Sequence, residues 1–568
     1  MTAAIIALQA FRNIQHVASQ QPPPEAAANR LYSSWVRDID ITRLLETDDP
    51  RELTAVQSLL CCKVLDEIVD KAFVGFTPDK KRPWIGSDDD PLRVFLTVTN
   101  LRGLPCSFEL FGDQDRYGML NHGDYLDFTV GSRPQEKDLE PGSLSLDVGD
   151  TTGANWDLFR DAAIATGAFP IGLRPRSINR KASDYTQRGD CGLDAGMKKE
   201  TAYPFIAVDG GMINNEPLEL ARQYLTRREP SEAPDGRNPR SGDKAKRAVV
   251  LIDPFPNLAK VPEEQKEPTN FVRLVVDIFS ALLDQSRFKL DELRLAQNQR
   301  VFSRYVICPK RASHSDEAKE YPIASGVLGG FGGFLQESFR RHDYLLGRRN
   351  AQAFLRWGFG LPRTNKEMFG DFDIDDRWLI RDINQANAPT RSFHCGEDSN
   401  LPLMMFFRDE HEEKADTPGF PIIPLVQELC EPIVLGRSDW PQPTLVNLDA
   451  LEPLIDKRIN FVARAIVANQ LGNISESLRA EEADQKKKAK ATELQERTAK
   501  PSDAAAKGQD WLGSFVANVI GGAKQLSRKA LRAVLGPVAS WYAAHIAAQV
   551  ARTEIATARN LVEAAFKD

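Results

Sequence analysis

No run of 18 or more strongly apolar residues occurs anywhere in the 568-residue chain, so nothing in it is patterned to span a bilayer as a helix. A surplus of positive charge is missing too. The 73 basic residues are outnumbered by 80 acidic ones, a net charge of −7, which leaves no overall field to collect nucleic acid. The seven cysteines are scattered, odd in number and without a repeated C-x-x-C spacing, so neither a zinc site nor a disulfide framework is indicated. Reduced thiols in a cytosol-like compartment are the expectation. The first residues, "MTAAIIALQAFRNIQ", have no basic lead before their apolar part and no small-residue cleavage site, unlike a signal peptide. There is no H-E-x-x-H, no fixed-period repeat, and no indication of a metal or cofactor.

What is present is an ordinary globular composition, 42% hydrophobic and 27% charged. Strand-like runs lie at 93–100, 125–130, 205–209, 248–253 and 303–308, rich in Val, Ile, Phe and Thr. Helical patterns fall at 2–19, 51–75, 155–166, 215–227 and 269–298, several of them between strands, which predicts an α/β fold with a largely parallel sheet. "DKKRPWIGSDDDP", "GSRPQEKDLEPGS" and "RREPSEAPDGRNPRSGDKAK" read as surface insertions. From about 332 the chain turns helical, with a further helical pattern over 448–471. Three regions are expected: a main domain over 1–470, a polar linker or solvated helix over 471–509, and an alanine-rich helical segment over 510–568. The last has Lys524, Arg528, Lys529 and Arg532 beside apolar residues, a pattern compatible with peripheral contact with an anionic membrane or with plain helix packing.

The most informative stretch is "FIAVDGGMINNEPLELAR", 205–222. An apolar strand ends on Asp209, Gly210 and Gly211 allow a tight turn, and an amphipathic segment follows. D-G-G alone is an ordinary turn signal. Between a strand and a helix, however, it holds a carboxylate at a carboxyl strand end, where open α/β sheets bind ligands. Gly167 and Ala168, in "ATGAFPIG", are small enough for that loop to approach a reacting centre. His122, His342 and His411 read as structural or solvated, and Asn214 as a helix cap.

"VDGGMINNEPLELAR" resembles the aspartate motif of the patatin-like phospholipases. "LTVTNLRGLPCSF" (96–108), "AAIATGAFPIGLRP" (162–175) and "FGGFLQESFRRHDYLLGRRNAQAFL" (331–355) are similar to segments of bacterial members. The resemblance implies a three-layer α/β acyl hydrolase of cytoplasmic, possibly membrane-peripheral, type acting on a lipid or acyl-ester substrate through a Ser–Asp dyad. Asp209 is then the general base, and Gly210 and Gly211 shape its turn. The family's serine sits in G-x-S-x-G and its oxyanion donors in an N-terminal glycine-rich loop. Neither occurs here: "LGRSDW" and "ASGVLGG" each lack a glycine, and "GGFGG" (329–333) follows the aspartate instead of preceding it. "MTAAIIALQAFRN" resembles the helix after the serine turn. The expectation is therefore an internal Met1, a missing βαβ unit of about 30 residues, and a hydrolase domain without its nucleophile and first strands. The alternative is an inactive lipid-binding or scaffold protein, or a fragment completed by a separate N-terminal part.

Overall fold

The computed structural model describes chiefly residues 32–49, 56–73, 90–109, 116–131, 142–185, 201–228, 238–254, 301–310, 323–370, 406–408, 416–422 and 450–465, with short gaps inside these blocks. The expected first helix, the pattern at 269–298 apart from three residues, His411, and both C-terminal regions lie outside them. The chain divides into two units, one of residues 1–43, 64–446 and 561–568 and another of 44–63 with 447–560.

The first unit is built on a long ribbon. Strands β2 (Asp90–Glu109) and β3 (Arg116–Gly131) pair antiparallel from Leu92↔Val130 to Glu109↔Arg116, with one register shift between Thr99 and Leu104. Around them the sheet runs β4 (Ser143–Asp147), β3, β2, β6 (Ala202–Asp209), β5 (Arg176–Lys181), with the short β1 (Gly86–Ser87) on β2. Alternation sorts its faces. Val98, Leu126, Phe128, Val130, Ile178, Phe205 and Ala207 point to one side and are buried there under helix α2 (Ala154–Ala165). The helix contributes Ala162 and Ala165 at i, i+3 spacing and the Phe159 ring, 5.2 Å from Phe128.

The α/β class stands, but the expected mostly parallel arrangement does not. The main sheet has four antiparallel pairings, β1–β2, β2–β3, β2–β6 and β5–β6, and one parallel, β3–β4. One of these strands, β5, is also hidden from a hydrophobic reading: its sequence, "RSINRK", is too polar to read as a strand, yet alternate residues are buried and it pairs back on β6. The parallel expectation holds locally for β7 (Val249–Ile252) and β8 (Arg304–Ile307). A three-stranded antiparallel sheet joins β9 (Gly360–Pro362), β10 (Phe406–Arg408) and β11 (Asp416–Pro421). Helices α1 (Lys63–Phe73), α3 (Gly211–Asn214), α4 (Leu218–Arg228) and α5 (Glu337–Ala353) follow in chain order.

A second correction concerns the cysteines. Cys106 on β2 is bonded to Cys191, 85 residues away, while Cys61, Cys62 and Cys308 are not in disulfides. An isolated bridge between Cys106 and Cys191 brings the two together, a pairing that spacing along the chain does not reveal. The basis for expecting only reduced thiols is thereby removed.

In the second unit a helix over 450–465 centres on Arg458, which is 1% exposed. Its guanidinium donates to both carboxylate oxygens of Asp49 and to the carbonyls of Glu46, Ser58 and Leu59. Such a fork satisfies the donors that burial would otherwise leave unpaired. Truncation is a different matter. Arg458→Met should cost roughly 3 kcal/mol by leaving Asp49 and three carbonyls without their donor, read as a lowered urea midpoint; a change below about 0.5 kcal/mol would mean the fork is replaceable by water.

Candidate active site

Asp209 is the last residue of β6, and three hydrogen bonds fix it. Its N–H donates to the carbonyl of Ala168 (3.0 Å), its carbonyl accepts from the Thr99 hydroxyl (2.8 Å), and its Oδ1 accepts from the N–H of Gly211 (2.7 Å). The chain can turn so sharply because Gly210 has no side chain. A Cβ there would lie 2.4 Å from the Thr97 carbonyl oxygen, closer than real contacts allow. Gly211 then opens α3. The sequence candidates thus come together around the carboxylate: Gly210 by steric need, Gly211 through its N–H, Ala168 through its carbonyl. Gly167 differs. It is exposed, and a Cβ on it would meet nothing within 4 Å, so space does not demand a glycine.

Electrostatically, burial pushes the Asp209 carboxyl above its ordinary value of 3.8, and the Gly211 N–H opposes that shift. No cation contributes. Among the described residues no serine or histidine side chain is hydrogen-bonded to this carboxylate. The arrangement is a half-buried, unneutralised carboxylate of raised proton affinity on a rigid strand end.

The histidines are accounted for as expected. His122 Nδ1 lies 2.7 Å from the Asn100 carbonyl and its ring packs against Gly103, whose φ of 81° closes the bulge in β2. His342 is bonded to Asp343 (2.8 Å), whose two carboxylate oxygens accept from the N–H groups of Ala324 and Ser325 and so hold the start of the 3-10 stretch Ala324–Phe334.

Two features escaped the sequence. Ile171, three residues past Ala168, is 64% exposed with φ 69°, a left-handed backbone that a β-branched residue rarely adopts. No sequence signal marks it. On the other face of the sheet a small cleft of about 30 Å³ opens between the ribbon and α4, lined by Phe95, Tyr125, Asp127, Asp184, Arg188 and Tyr224 among others. Its carboxylates are engaged inside the protein, Asp127 by Arg93 and Asp184 by Arg180, and Asp209 is not part of it.

No protein-family model matches the chain, and no solved structure matches it. It is similar to "Uncharacterized protein y4iI" of Sinorhizobium fredii, 32% identical over 367 residues, covering 57% of this chain and 51% of that protein. The chain thus spans about half the length of the curated relative it matches.

Two measurements probe the site without reference to its chemistry. The folded chain holds the Asp209 proton more tightly than the unfolded one. The stability from this group is therefore complete below about pH 3.8 and lost as the pH rises through the higher folded value. Asp209→Asn, which keeps an acceptor for Gly211, should accordingly be more stable than the parent at neutral pH, with the gain vanishing on acidification; urea midpoints across that range decide it, and a neutral-pH loss contradicts the burial argument. Gly210→Ala should destabilise by at least about 2 kcal/mol, because the obstruction is backbone and cannot move aside. Thermal unfolding of that variant is the check.

Proposed function

We propose that this chain carries the acid half of a patatin-like acyl-hydrolase site, with Asp209 as the general base and a phospholipid or related acyl ester as substrate. The observation that carries the reading is the Asp209 carboxylate itself, half-buried at a strand end, raised in proton affinity, and held by one backbone N–H with no neutralising cation. A carboxylate so placed is suited to take a proton from a hydroxyl. In the reaction it would take the nucleophile's proton as the hydroxyl oxygen bonds the acyl carbon. It would return that proton to the departing alcohol, then repeat the exchange with water to release the acid.

The nucleophile and oxyanion donors have no G-x-S-x-G or preceding glycine-rich loop in these 568 residues. On the hydrolase reading a second polypeptide segment would have to supply them. The same lack favours one other reading, a lipid-binding or scaffold protein that hydrolyses nothing.

The two separate in an esterase assay on p-nitrophenyl esters and phospholipid, using this chain, a version extended in frame upstream, and Asp209→Asn in each. The expected result is activity in the extended protein alone, cut by Asp209→Asn on the order of 10⁴-fold in turnover. An extended protein that is active but indifferent to Asp209→Asn would remove Asp209 from the mechanism, and one that is inert would leave the scaffold reading.

A further inference from the structure

The distal half of the β2–β3 ribbon is built unlike the rest of the sheet. β6 pairs with β2 only at Val98, Thr99 and Asn100. Beyond the register shift, 104–109 and 116–121 pair with each other, joined among the described residues by the single bridge from Cys106 to Cys191. Five rises of an antiparallel strand carry this part roughly 17 Å past the shift. Large apolar side chains crowd it: Tyr117 is 60% exposed, Met119 48% and Leu120 57%, with Leu101 and Phe108 exposed as well.

Their placement restricts what can cover them. Phe108 is paired with Tyr117 and Cys106 with Met119, so these side chains share one face of the ribbon. Leu120 is paired with Pro105 and points to the other face. A protein surface laid on one face leaves the other in water, whereas immersion in an apolar medium covers both. Tyr117 adds an amphipathic ring of the kind that favours the membrane–water boundary. No helix among the described residues is long and apolar enough to cross a membrane.

We propose that the distal ribbon docks on a lipid bilayer, its two faces embedded to headgroup depth. The segment joining the strands, "ELFGDQDR", carries Glu109, Asp113 and Asp115 against Arg116 alone, so its charge favours a zwitterionic surface over an anionic one. The base of the ribbon adjoins the candidate site. At Gly123 an added Cβ would lie 3.1 Å from the Ile213 side chain, and Ile213, four residues past Asp209, is itself 44% exposed. Docking there turns the Asp209 turn toward the lipid. The proposal goes beyond the hydrolase reading, since vesicle binding involves no ester cleavage and either can fail alone.

Flotation of the full chain with phosphatidylcholine vesicles tests it. The parent is expected to float, and the triple variant Tyr117→Ser, Met119→Ser, Leu120→Ser to lose about tenfold or more in partitioning with an unchanged melting temperature. Leu120→Trp is expected to raise partitioning several-fold, again with an unchanged melting temperature, which sets it apart from binding by misfolded chain. Mixing in phosphatidylglycerol should not raise it. The proposal is overturned by a parent that stays in solution, by a triple variant that floats as well as the parent, by binding that depends on the anionic lipid, or by a parent dimer that the triple variant converts to monomer, which would make a second copy the occupant.

Discussion

Three residue pairs between β2 and β6 set the position of everything that bears on chemistry here. Val98↔Asp209, Thr99↔Val208 and Asn100↔Ala207 are the whole of that ladder pairing. The side-chain period of a strand is two, so a slip of one residue would carry Asp209 from the α2 side of the sheet to the α4 side. Several devices oppose the slip. The Thr99 hydroxyl holds the Asp209 carbonyl, the Ala168 carbonyl holds its N–H, and only a glycine fits against Thr97 in the next position. Ala207 and Val98, both buried in the core, would also lose their packing.

Val98 has a second partner across β3, Asp124, so two carboxylates flank one valine on the same face of the sheet. Their surroundings separate their roles. Asp124 accepts from the Asn100 amide, the Tyr185 hydroxyl and the Tyr125 N–H, and lies 3.5 Å from the Arg188 guanidinium. It is 2% exposed and satisfied on every side, and its effect is to hold β2, β3 and the segment after β5 together. Asp209 has the Gly211 N–H and no cation. A structural carboxylate is normally provided for as Asp124 is, which makes the sparse company of Asp209 the informative contrast.

How much of this could be read from the sequence follows from how local each signal is. The strand into Asp209, the glycine turn and helices α2 and α5 rest on periodicity and turn chemistry within a dozen residues, and all were legible in "FIAVDGG", "NWDLFRDAAIA" and "ESFRRHDYLLGRR". Strand β5 and its antiparallel return onto β6 were not, because its buried face includes Arg176 and Arg180. Those arginines are inside because Asp66 and Asp184 receive them, partners that no hydrophobic pattern announces. The ribbon beyond Thr99 was missed for the converse reason. Exposed apolar residues occur on both of its sides, Phe108, Tyr117 and Met119 on the face that also buries Leu104 and Cys106 and Leu120 on the other, so the clean alternation that marks a half-buried strand is absent. Of the site, the turn was legible, while Thr99, Ala168 as an acceptor and the left-handed Ile171 depend on neighbours 41 to 110 residues away or on no sequence signal.

Ile171 also bears on how firmly the carboxylate is held. A β-branched residue at φ 69° costs on the order of 1–3 kcal/mol and persists only where its surroundings over-determine it. They do so here. The Ala168 carbonyl is tied to Asp209, the Leu173 N–H donates to the Phe169 carbonyl, and the Phe169 ring is 5.6 Å from Phe331 of the 3-10 stretch. That stretch is anchored in turn by Asp343. The loop is thus pinned before Ile171, at Ala168 by β6 and at Phe169 by the 3-10 stretch, and the bond from Leu173 back to Phe169 closes it around Ile171, on which the conformational cost falls. A loop left to its own preferences would relax that residue first. Because it does not, the carbonyl that orients Asp209 is held in place by the fold, and the carboxylate is preorganised before any ligand arrives.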